Sequence, residues 1–242
     1  MAHEFNPDFI HHQPNTPRSS LIREAIFGLE DGMVSTMGAV TGIAVGTGNY
    51  FTVVLSGLVI IAVESISMSV GSYLSSKSER EIDERKLFEE RVELRKFPEE
   101  EKSELEEMYA KDGWPRPLAG QMSEVASRNK KLFLQEMAYR ELKIIPENLE
   151  QPLYNGITMG AAYILGGVVP LAPYLIIRSV SFSLPLSIAI TLLGLFMLGA
   201  MTTKFSKRPW WKAGLEMFLL ASAAAGVGYA VGAAVNHWWL KP

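Results

Sequence analysis

The chain has 242 residues, no cysteine and a formal net charge of −3. The absence of cysteine excludes disulfide bonds and thiolate metal sites. The mean hydropathy of +0.12 is that of an ordinary soluble protein, but the average hides an uneven distribution. Between residues 79 and 150 lie 19 of the 26 acidic and 14 of the 23 basic residues. The composition therefore predicts a membrane protein with a polar insert.

Residues 1–20 are polar and lack the basic start, apolar run and cleavage site of a signal peptide. We expect a flexible tail and a first apolar helix that stays in the mature protein. Prolines interrupt the tail at three positions: Pro7, Pro14 and Pro17. Three histidines in it are candidate metal ligands, although nothing nearby fixes their geometry and a mobile tail is the favoured interpretation: His3, His11 and His12.

Residues 21–76 predict two membrane helices joined by a tight turn. The first should run from about Arg23 to Gly46, and the second from about Phe51 to Ser76. Three glycines spaced four residues apart form a strip of the kind that lets membrane helices pack closely: Gly38, Gly42 and Gly46.

Acidic residues inside these apolar helices are the first functional candidates, since an ionisable group in hydrocarbon is costly and faces a partner or a wet cavity. Glu64 and Met68 share one side of the second helix, together with Ile60 and Ser72. We predict a transport path through Asp31, Glu64 and Met68. Alternatively, Asp31 is interfacial and Met68 fills apolar space. Three further acids lie near predicted helix ends, and we expect them either to form an entry vestibule or to lie among lipid headgroups: Glu24, Glu30 and Glu216.

The charged insert, residues 77–150, should be helical. Residues 77–97 contain no Gly or Pro and continue the second helix until Pro98. Pro98 then starts a capped helix that stops at Gly113, and another helix runs from about Gln121 to Ile145.

Carboxylates recur on these helices at spacings that put them on one face. The candidate metal ligands are Glu90, Glu93, Glu104, Glu107, Met137 and Glu141. Carboxylates suit hard or intermediate divalent ions, and a thioether favours a transition metal. The alternative is a set of solvated acidic faces. The insert has no histidine, which disfavours a ferritin-like di-iron centre, and no nucleotide-binding or hydrolase motif is present. We therefore predict no enzyme and no cofactor.

Three further apolar segments follow at residues 153–177, 184–203 and 213–236, the first with Pro170 and Pro173 inside it. Neighbouring helices must satisfy the carbonyls that these prolines free. The last segment contains a second small-residue pair, Gly228 and Gly232. The fold class predicted is all-α, with five membrane helices and a three-helix insert between the second and third. The positive-inside rule places the N-terminus and insert in the cytoplasm and the C-terminus outside or in a lumen.

Several motifs resemble the vacuolar iron transporter family. They are Arg23–Gly28, Asp31–Thr36, Ser67-Met68 and Gly71-x-Tyr73-Leu74-Ser75. The resemblance implies a homodimer with five membrane helices per subunit, a cytoplasmic helical metal-binding domain, and export of Fe²⁺ from the cytosol in exchange for protons. It implies that Asp31 and Met68 lie on the ion path and that the six residues of the insert named above are ligands.

The chain departs from the family pattern at several positions. Family members usually have small residues at Val63–Ser65 and often a glutamate at Ser72, and some have one at Ile60. Glu64 is a candidate replacement for either acid. Where relatives can have two consecutive methionines, this chain has Met137 followed by alanine, which predicts weaker metal binding.

We therefore expect a transporter for Fe²⁺, with Mn²⁺ as a second substrate and Zn²⁺ as a further ion that the insert could bind. Its partners would be divalent metal ions, protons, the lipid bilayer and a second copy of the chain, but no nucleic acid. A plasma membrane and a vacuolar membrane fit equally. One alternative is a membrane-anchored metal buffer or sensor, and another is a structural protein whose acidic helices recruit a basic partner.

Overall fold

The computed structural model describes residues 18–206 and 208–240, and within these ranges the chain is all-α, as predicted. Most of the predicted tail and its three histidines lie outside the described residues, and residues 18–20 already belong to the first helix. The α-helices are α1 Arg18–Thr47, α2 Tyr50–Lys96, α3 Pro98–Lys111, α4 Arg116–Ser127, α5 Lys130–Met137, α6 Pro152–Ile176, α7 Val180–Ser206 and α8 Trp210–Val235. Shorter turns follow α5 and α8: a π-helix at Ala138–Leu142, a 3₁₀ turn at Pro146–Asn148 and a π-helix at Asn236–Leu240.

The described residues form two compact units. One contains Ser75–Gln151, and the other contains Ser20–Leu74 together with the chain from Pro152 onward. The α2 helix is continuous over 47 residues and contributes its first part to the apolar unit and its second part to the charged unit. This continuity confirms the prediction that no break occurs before Pro98.

Four helices of the described chain are long and apolar enough to cross a membrane: α2, α6, α7 and α8. The α1 helix is also long enough, at 30 residues, because about 20 residues span the hydrocarbon core. It does not reach the same hydropathy, since it carries Arg23, Glu24, Glu30 and Asp31 as well as several glycines and threonines. The predicted count of five spans therefore depends on α1.

The glycines of α1 place it in close contact with α8. A Cβ atom added at Gly42 would lie 2.8 Å from the Gly228 carbonyl oxygen, and one added at Gly232 would clash with the Gly42 carbonyl oxygen. The two small-residue strips found in the sequence thus pack against each other. Backbone contact of this kind gives membrane helices van der Waals attraction that larger side chains would prevent.

Two serine hydroxyl groups of α7 donate hydrogen bonds to the backbone of α6 at its internal prolines. Ser187 donates to the Pro170 carbonyl at 2.6 Å, and the Ser183 hydroxyl is shared between the Ile177 carbonyl at 2.8 Å and the Pro173 carbonyl at 3.2 Å. Both serine side chains are buried. The Pro170 and Pro173 acceptors are the carbonyls of the prolines themselves, whereas the carbonyls that lose an intrahelical donor belong to Gly166 and Val169, four residues earlier. The two serines therefore fasten α7 to the backbone of α6.

The insert differs from the prediction after Gly113. We predicted one helix from Gln121 to Ile145, but α4 ends at Ser127 and α5 begins at Lys130. The break is at Asn129, whose side chain accepts hydrogen bonds from the backbone of Lys131 and Leu132 and so caps α5. The apolar core below these helices comprises Leu105, Tyr109, Ala119, Ala126, Phe133 and Met137.

Candidate functional site

Asp31 and Glu64 lie on the first two helices of the apolar unit, within electrostatic range of each other. Asp31 is half-buried on α1, and Glu64 is exposed on α2. The two carboxylates are close enough for the charge of Glu64 to act on Asp31. Since α1 and α2 are joined by a turn of two residues, this pairing follows from an antiparallel hairpin. The two acids selected from the sequence are therefore brought together.

Tyr163 of α6 lies near Asp31 and Glu64, and no sequence pattern pointed to it. Its side chain is fully buried, and its hydroxyl lies 2.6 Å from the Ser35 hydroxyl. Ser35 donates to the Asp31 carbonyl at 2.7 Å, so the Tyr163 hydroxyl is left to donate to Ser35. The Tyr163 ring also feels the charges of Asp31 and Glu64. The acid pair thus has a hydroxyl group from a third helix beside it.

A second polar contact joins α1 and α2 further along the hairpin. The buried Glu24 carboxylate accepts a hydrogen bond of 2.8 Å from Ser72. Asp31 follows Glu24 by seven residues and Ser72 follows Glu64 by eight, which places the two contacts ~10–12 Å apart along the helices. Met68 lies between Glu64 and Ser72 and is half-buried.

The other two vestibule candidates differ in burial. Glu30 is half-buried and feels the charge of Asp31. Glu216 on α8 is exposed and lies 4.0 Å from Arg208. Glu30 therefore belongs to the acidic surroundings of Asp31, whereas Glu216 belongs to a solvent-exposed ion pair.

A second group of carboxylates lies in the charged unit. Glu90 of α2, Glu101 of α3 and Glu141 of the π-helical turn each offer an oxygen within 4.8 Å of the others. Bonds from oxygen to a divalent cation measure about 2.0–2.6 Å, so oxygens that share one ion lie up to about 5 Å apart. The three oxygens fit this spacing. Glu90 and Glu141 were selected from the sequence, and Glu101 was missed.

Glu90 is the most constrained member of this group. It is 1% exposed, and apart from an interaction with the Glu141 carboxyl its two oxygens have no hydrogen-bond partner in the part of the chain that the structure describes. Burial, followed by the negative charges of Glu141 and Glu101, raises the pKa of Glu90 to about 8. A buried carboxylate without donors is costly, and a bound cation would compensate for that cost.

The other two members have the same electrostatic character. Burial and the charge of Glu104 raise the pKa of Glu101 to about 7. Burial and Glu104 also raise the pKa of Glu141. At neutral pH the group therefore holds protons that a divalent cation has to displace. Among the described residues, no cationic side chain contributes to these three pKa shifts.

The remaining predicted ligands lie at varying distances from this group. Glu93 and Glu104 are exposed, and their charges act on Glu101 and Glu141. Glu107 is exposed and lines a cleft of about 650 Å³ together with Glu100 and Glu104. Met137 is fully buried in the apolar core of the insert.

Comparisons with known proteins find relatives over most of the chain. The sequence model described as the VIT family matches residues 22–233. Vacuolar iron transporter 1 of Oryza sativa subsp. japonica is 27% identical, over 93% of this chain and 90% of the relative. Vacuolar iron transporter 1 of Arabidopsis thaliana is 26% identical over 94% and 91%, and the vacuolar iron transporter of Toxoplasma gondii is 28% identical over 96% and 80%.

Proposed function

Since this chain belongs to the VIT family, we propose that it exports Fe²⁺ from the cytosol, with Mn²⁺ as a second substrate and protons moving in exchange. The chain is a multi-pass membrane protein of a family whose relatives are named as iron transporters. Those names describe transport, and we propose no enzymatic step.

The electrostatic interaction of Asp31 with Glu64, two acids in neighbouring apolar helices, is the observation that carries this proposal. Two carboxylates in apolar helices can bind one divalent cation when deprotonated and can hold protons when the cation leaves. Alternation between these two states couples metal movement to proton movement. Tyr163 and Ser35 support the site by fixing the backbone at Asp31 through their hydrogen bonds, and Met68 offers a thioether one turn beyond Glu64.

The insert is proposed as a cytoplasmic metal collector. Glu90, Glu101 and Glu141 supply three oxygen ligands, and the charges of Glu93 and Glu104 strengthen the negative potential around them. Oxygen ligands accept Fe²⁺, Mn²⁺ and Zn²⁺ but select weakly among them. We propose that discrimination between metals depends on the site in the membrane rather than on the insert.

We propose five membrane crossings, with α1 as the first, and an N-terminus and insert on the cytoplasmic side. Four basic residues lie where α7 ends and α8 begins, whereas the opposite side receives only Arg178 and Lys241; the four are Lys204, Lys207, Arg208 and Lys212. This asymmetry supports the orientation. It leaves the C-terminus outside or in a lumen, in a plasma membrane or a vacuolar membrane.

The exposure of Glu64 supports a homodimer. In the single chain this carboxylate lies on the outer surface of an apolar helix, where lipid would solvate it poorly. A second copy placed against the same face would enclose it between subunits. Light scattering of the purified protein in lipid nanodiscs tests this point, and a mass corresponding to one chain would contradict it.

Uptake of radioactive iron into sealed proteoliposomes with an acidic lumen tests transport and coupling. We expect the wild-type chain to fill the lumen faster with the pH gradient than without it. Asp31→Asn and Glu64→Gln should each lower the rate about tenfold or more, equivalent to ~1.4 kcal/mol of barrier. Glu89→Gln is the matched control, because Glu89 is exposed and pairs with Arg85 in the insert. Wild-type rates in both path variants would contradict the assigned roles.

The carboxylate group of the insert also supports a second candidate function, a membrane-anchored metal buffer or sensor. A buffer would bind iron at the membrane surface, and a chelator added outside the liposomes would remove all of it. Iron that resists the chelator and is released by detergent has entered the lumen. Complete removal by the chelator would favour the buffer.

A further inference from the structure

The carboxylate of Glu141 is presented by an unusual turn at the end of α5. Ala138–Leu142 is a π-helix, and Lys143 closes it with a left-handed backbone, φ 59°. The Lys143 amide and the Ile144 amide both bond to the Ala138 carbonyl. A π-turn contains one residue more than an α-turn, and a non-glycine residue at positive φ costs ~1 kcal/mol or more. Contacts with the rest of the insert have to hold this turn in place.

Ala138 and Ile144 pack with Leu87 of α2 in an apolar cluster, and Arg140, the neighbour of Glu141, supplies the polar contacts to α3 and α5. Its guanidinium lies over the Tyr109 ring of α3, 4.3 Å from the ring centroid. It pairs with Glu136 of α5 at 3.0 Å and with Asp112, the C-cap of α3. Its side chain is 17% exposed, so solvent screens these interactions only partly.

Tyr109 completes the arrangement. Its hydroxyl donates to the Glu136 oxygen that also accepts from Arg140, at 3.0 Å in both cases. Tyr109 is itself buried in the core of the insert. The planar guanidinium is thus fixed by a ring face on one side and by carboxylates at its edges, a geometry that lysine cannot reproduce.

The clasp formed by Arg140, Tyr109, Glu136 and Asp112 fixes the position of the π-turn relative to α3. We propose that Arg140 is a positioning residue for metal binding in the insert: it holds Glu141 within reach of Glu90 and Glu101 without contacting the ion itself. The inference rests on the proposed metal-binding role of that carboxylate group. It goes beyond that role because it assigns the geometry of the group to residues that are not ligands.

The alternative is that Arg140 merely stabilises the insert as a whole. A residue acting through Glu141 loses its effect on metal affinity once the Glu141 carboxylate is gone, whereas general damage to the insert persists in that background. A double-mutant cycle separates the two.

The experiment uses the full-length protein in detergent and measures Mn²⁺ affinity by calorimetry, with the zero-field splitting of bound Mn²⁺ from electron paramagnetic resonance. We expect Arg140→Ala to weaken Mn²⁺ binding about tenfold, the loss that supporting residues around metal sites usually cause, and to change the splitting. In a Glu141→Ala background, Arg140→Ala should produce no further loss. Arg128→Ala is the matched control, since Arg128 makes an exposed i,i+4 pair with Glu124.

Unchanged Mn²⁺ affinity in Arg140→Ala would overturn the inference, and so would an equal loss in the presence and absence of the Glu141 carboxylate. Both results leave metal binding by the insert intact as a function. Failure of the wild-type protein to bind Mn²⁺ at all is a distinct result, because it would overturn the proposed collector and the positioning role together.

Discussion

Glu90 shows how a single buried side chain stores free energy that a ligand can release. Apart from the Glu141 carboxyl, its oxygens lack hydrogen-bond partners among the described residues, and the charges that act on it are those of the acids Glu141, Glu101 and Glu93. Folding therefore brings Glu90 into a place where the charged form is disfavoured, and the protonated or metal-bound form is required. Burial and neighbouring acids also disfavour the charged form of Glu101, but its pKa rises less than that of Glu90.

The stability of the metal-free chain should therefore fall as the pH rises. The pKa of Glu90 is raised from 4.5 to about 8 and that of Glu101 to about 7, chiefly by burial, so the folded chain holds more protons than the unfolded chain between these values. Stability from these groups is present below pH ~4.5 and lost through pH ~7–8, at about 1.4 kcal/mol for each tenfold change in proton affinity. Thermal unfolding of the full chain with a chelator, from pH 5 to 8.5, measures it.

Mn²⁺ should reverse this trend, because it displaces the protons and stabilises the folded chain most above pH 7. Glu90→Gln is the control that removes the titrating group, and it should flatten the decline in the metal-free protein while abolishing much of the Mn²⁺ effect. A midpoint of unfolding that rises with pH in the metal-free wild type, or a decline that Glu90→Gln leaves unchanged, would contradict the assignment.

At the scale of the element, α5 exists as a separate helix because Asn129 caps it. Replacing this cap with alanine should cost ~1 kcal/mol of local stability. We expect Asn129→Ala to accelerate hydrogen exchange at residues 130–137 about fivefold, as measured by mass spectrometry on the full chain, since amides exchange through local opening. Asn129→Ser keeps an acceptor and should behave like the wild type. Equal acceleration in both variants would show that the cap is not what stabilises α5.

The contact of α1 with α8 makes a second prediction at this scale. A Cβ at Gly228 would clash with the Gly38 carbonyl oxygen, whereas one at Gly226 meets nothing within 4 Å. We expect Gly228→Ala to destabilise the folded chain by ~1–3 kcal/mol, the usual cost of overpacking, and Gly226→Ala to have almost no effect. Thermal unfolding in detergent compares the two. A similar midpoint for both variants would mean that the helices are not in close contact.

These elements show which features a sequence can reveal. The 47-residue α2 was predicted because no Gly or Pro interrupts its charged half, and the glycine strips were predicted because their spacing alone defines a helix face. The break at Asn129 was missed because asparagine is tolerated inside helices and caps only when its side chain turns back. The π-turn at Ala138–Leu142 has no sequence pattern of its own, since tertiary contacts such as those of Arg140 maintain it.

The sequence also identified some residues of the two carboxylate groups and missed others. Asp31, Glu64, Glu90 and Glu141 were selected by chemistry and spacing. Glu101 was missed because it lies among first-turn acids that are typical of any helix start. A signal was present, however: Glu101 precedes Leu105 and Tyr109 at four-residue spacing and therefore continues the buried face of α3. Tyr163 gave no signal, since a tyrosine in an apolar helix is ordinary.

At the scale of the whole molecule, the open structural question is whether α1 crosses the membrane. Its 30 residues are sufficient, but its acids and glycines keep its hydropathy below that of the four apolar helices. Packing favours the proposed crossing. Its glycines contact α8, and Gly32 lies against the Tyr163 carbonyl of α6, so two apolar helices shield much of it from lipid.

The absence of native cysteine makes this question accessible through single-cysteine labelling. Ser19 lies exposed at the start of α1 and Ser78 lies exposed beyond the apolar part of α2, so Ser19→Cys and Ser78→Cys mark the two ends of the hairpin. If α1 and α2 both cross the membrane with the N-terminus in the cytoplasm, these positions lie on the cytoplasmic side. A membrane-impermeant maleimide added to intact cells that carry the chain in their plasma membrane should then label neither of them. Permeabilised cells provide the control for reactivity.

Asn49→Cys, in the exposed turn between the two helices, should be labelled in intact cells and so reports that the reagent reaches the outer side. Labelling of Ser19→Cys together with Asn49→Cys, while Ser78→Cys stays protected, would show that only α2 crosses. The metal path would then lose its first helix from the bilayer, because Asp31 would no longer face Glu64 within the membrane. Protection of Ser19→Cys and Ser78→Cys together with labelling of Asn49→Cys is the pattern that two crossings predict, and it places α1 with Asp31 in the membrane, where an ionisable group needs a partner or a wet cavity.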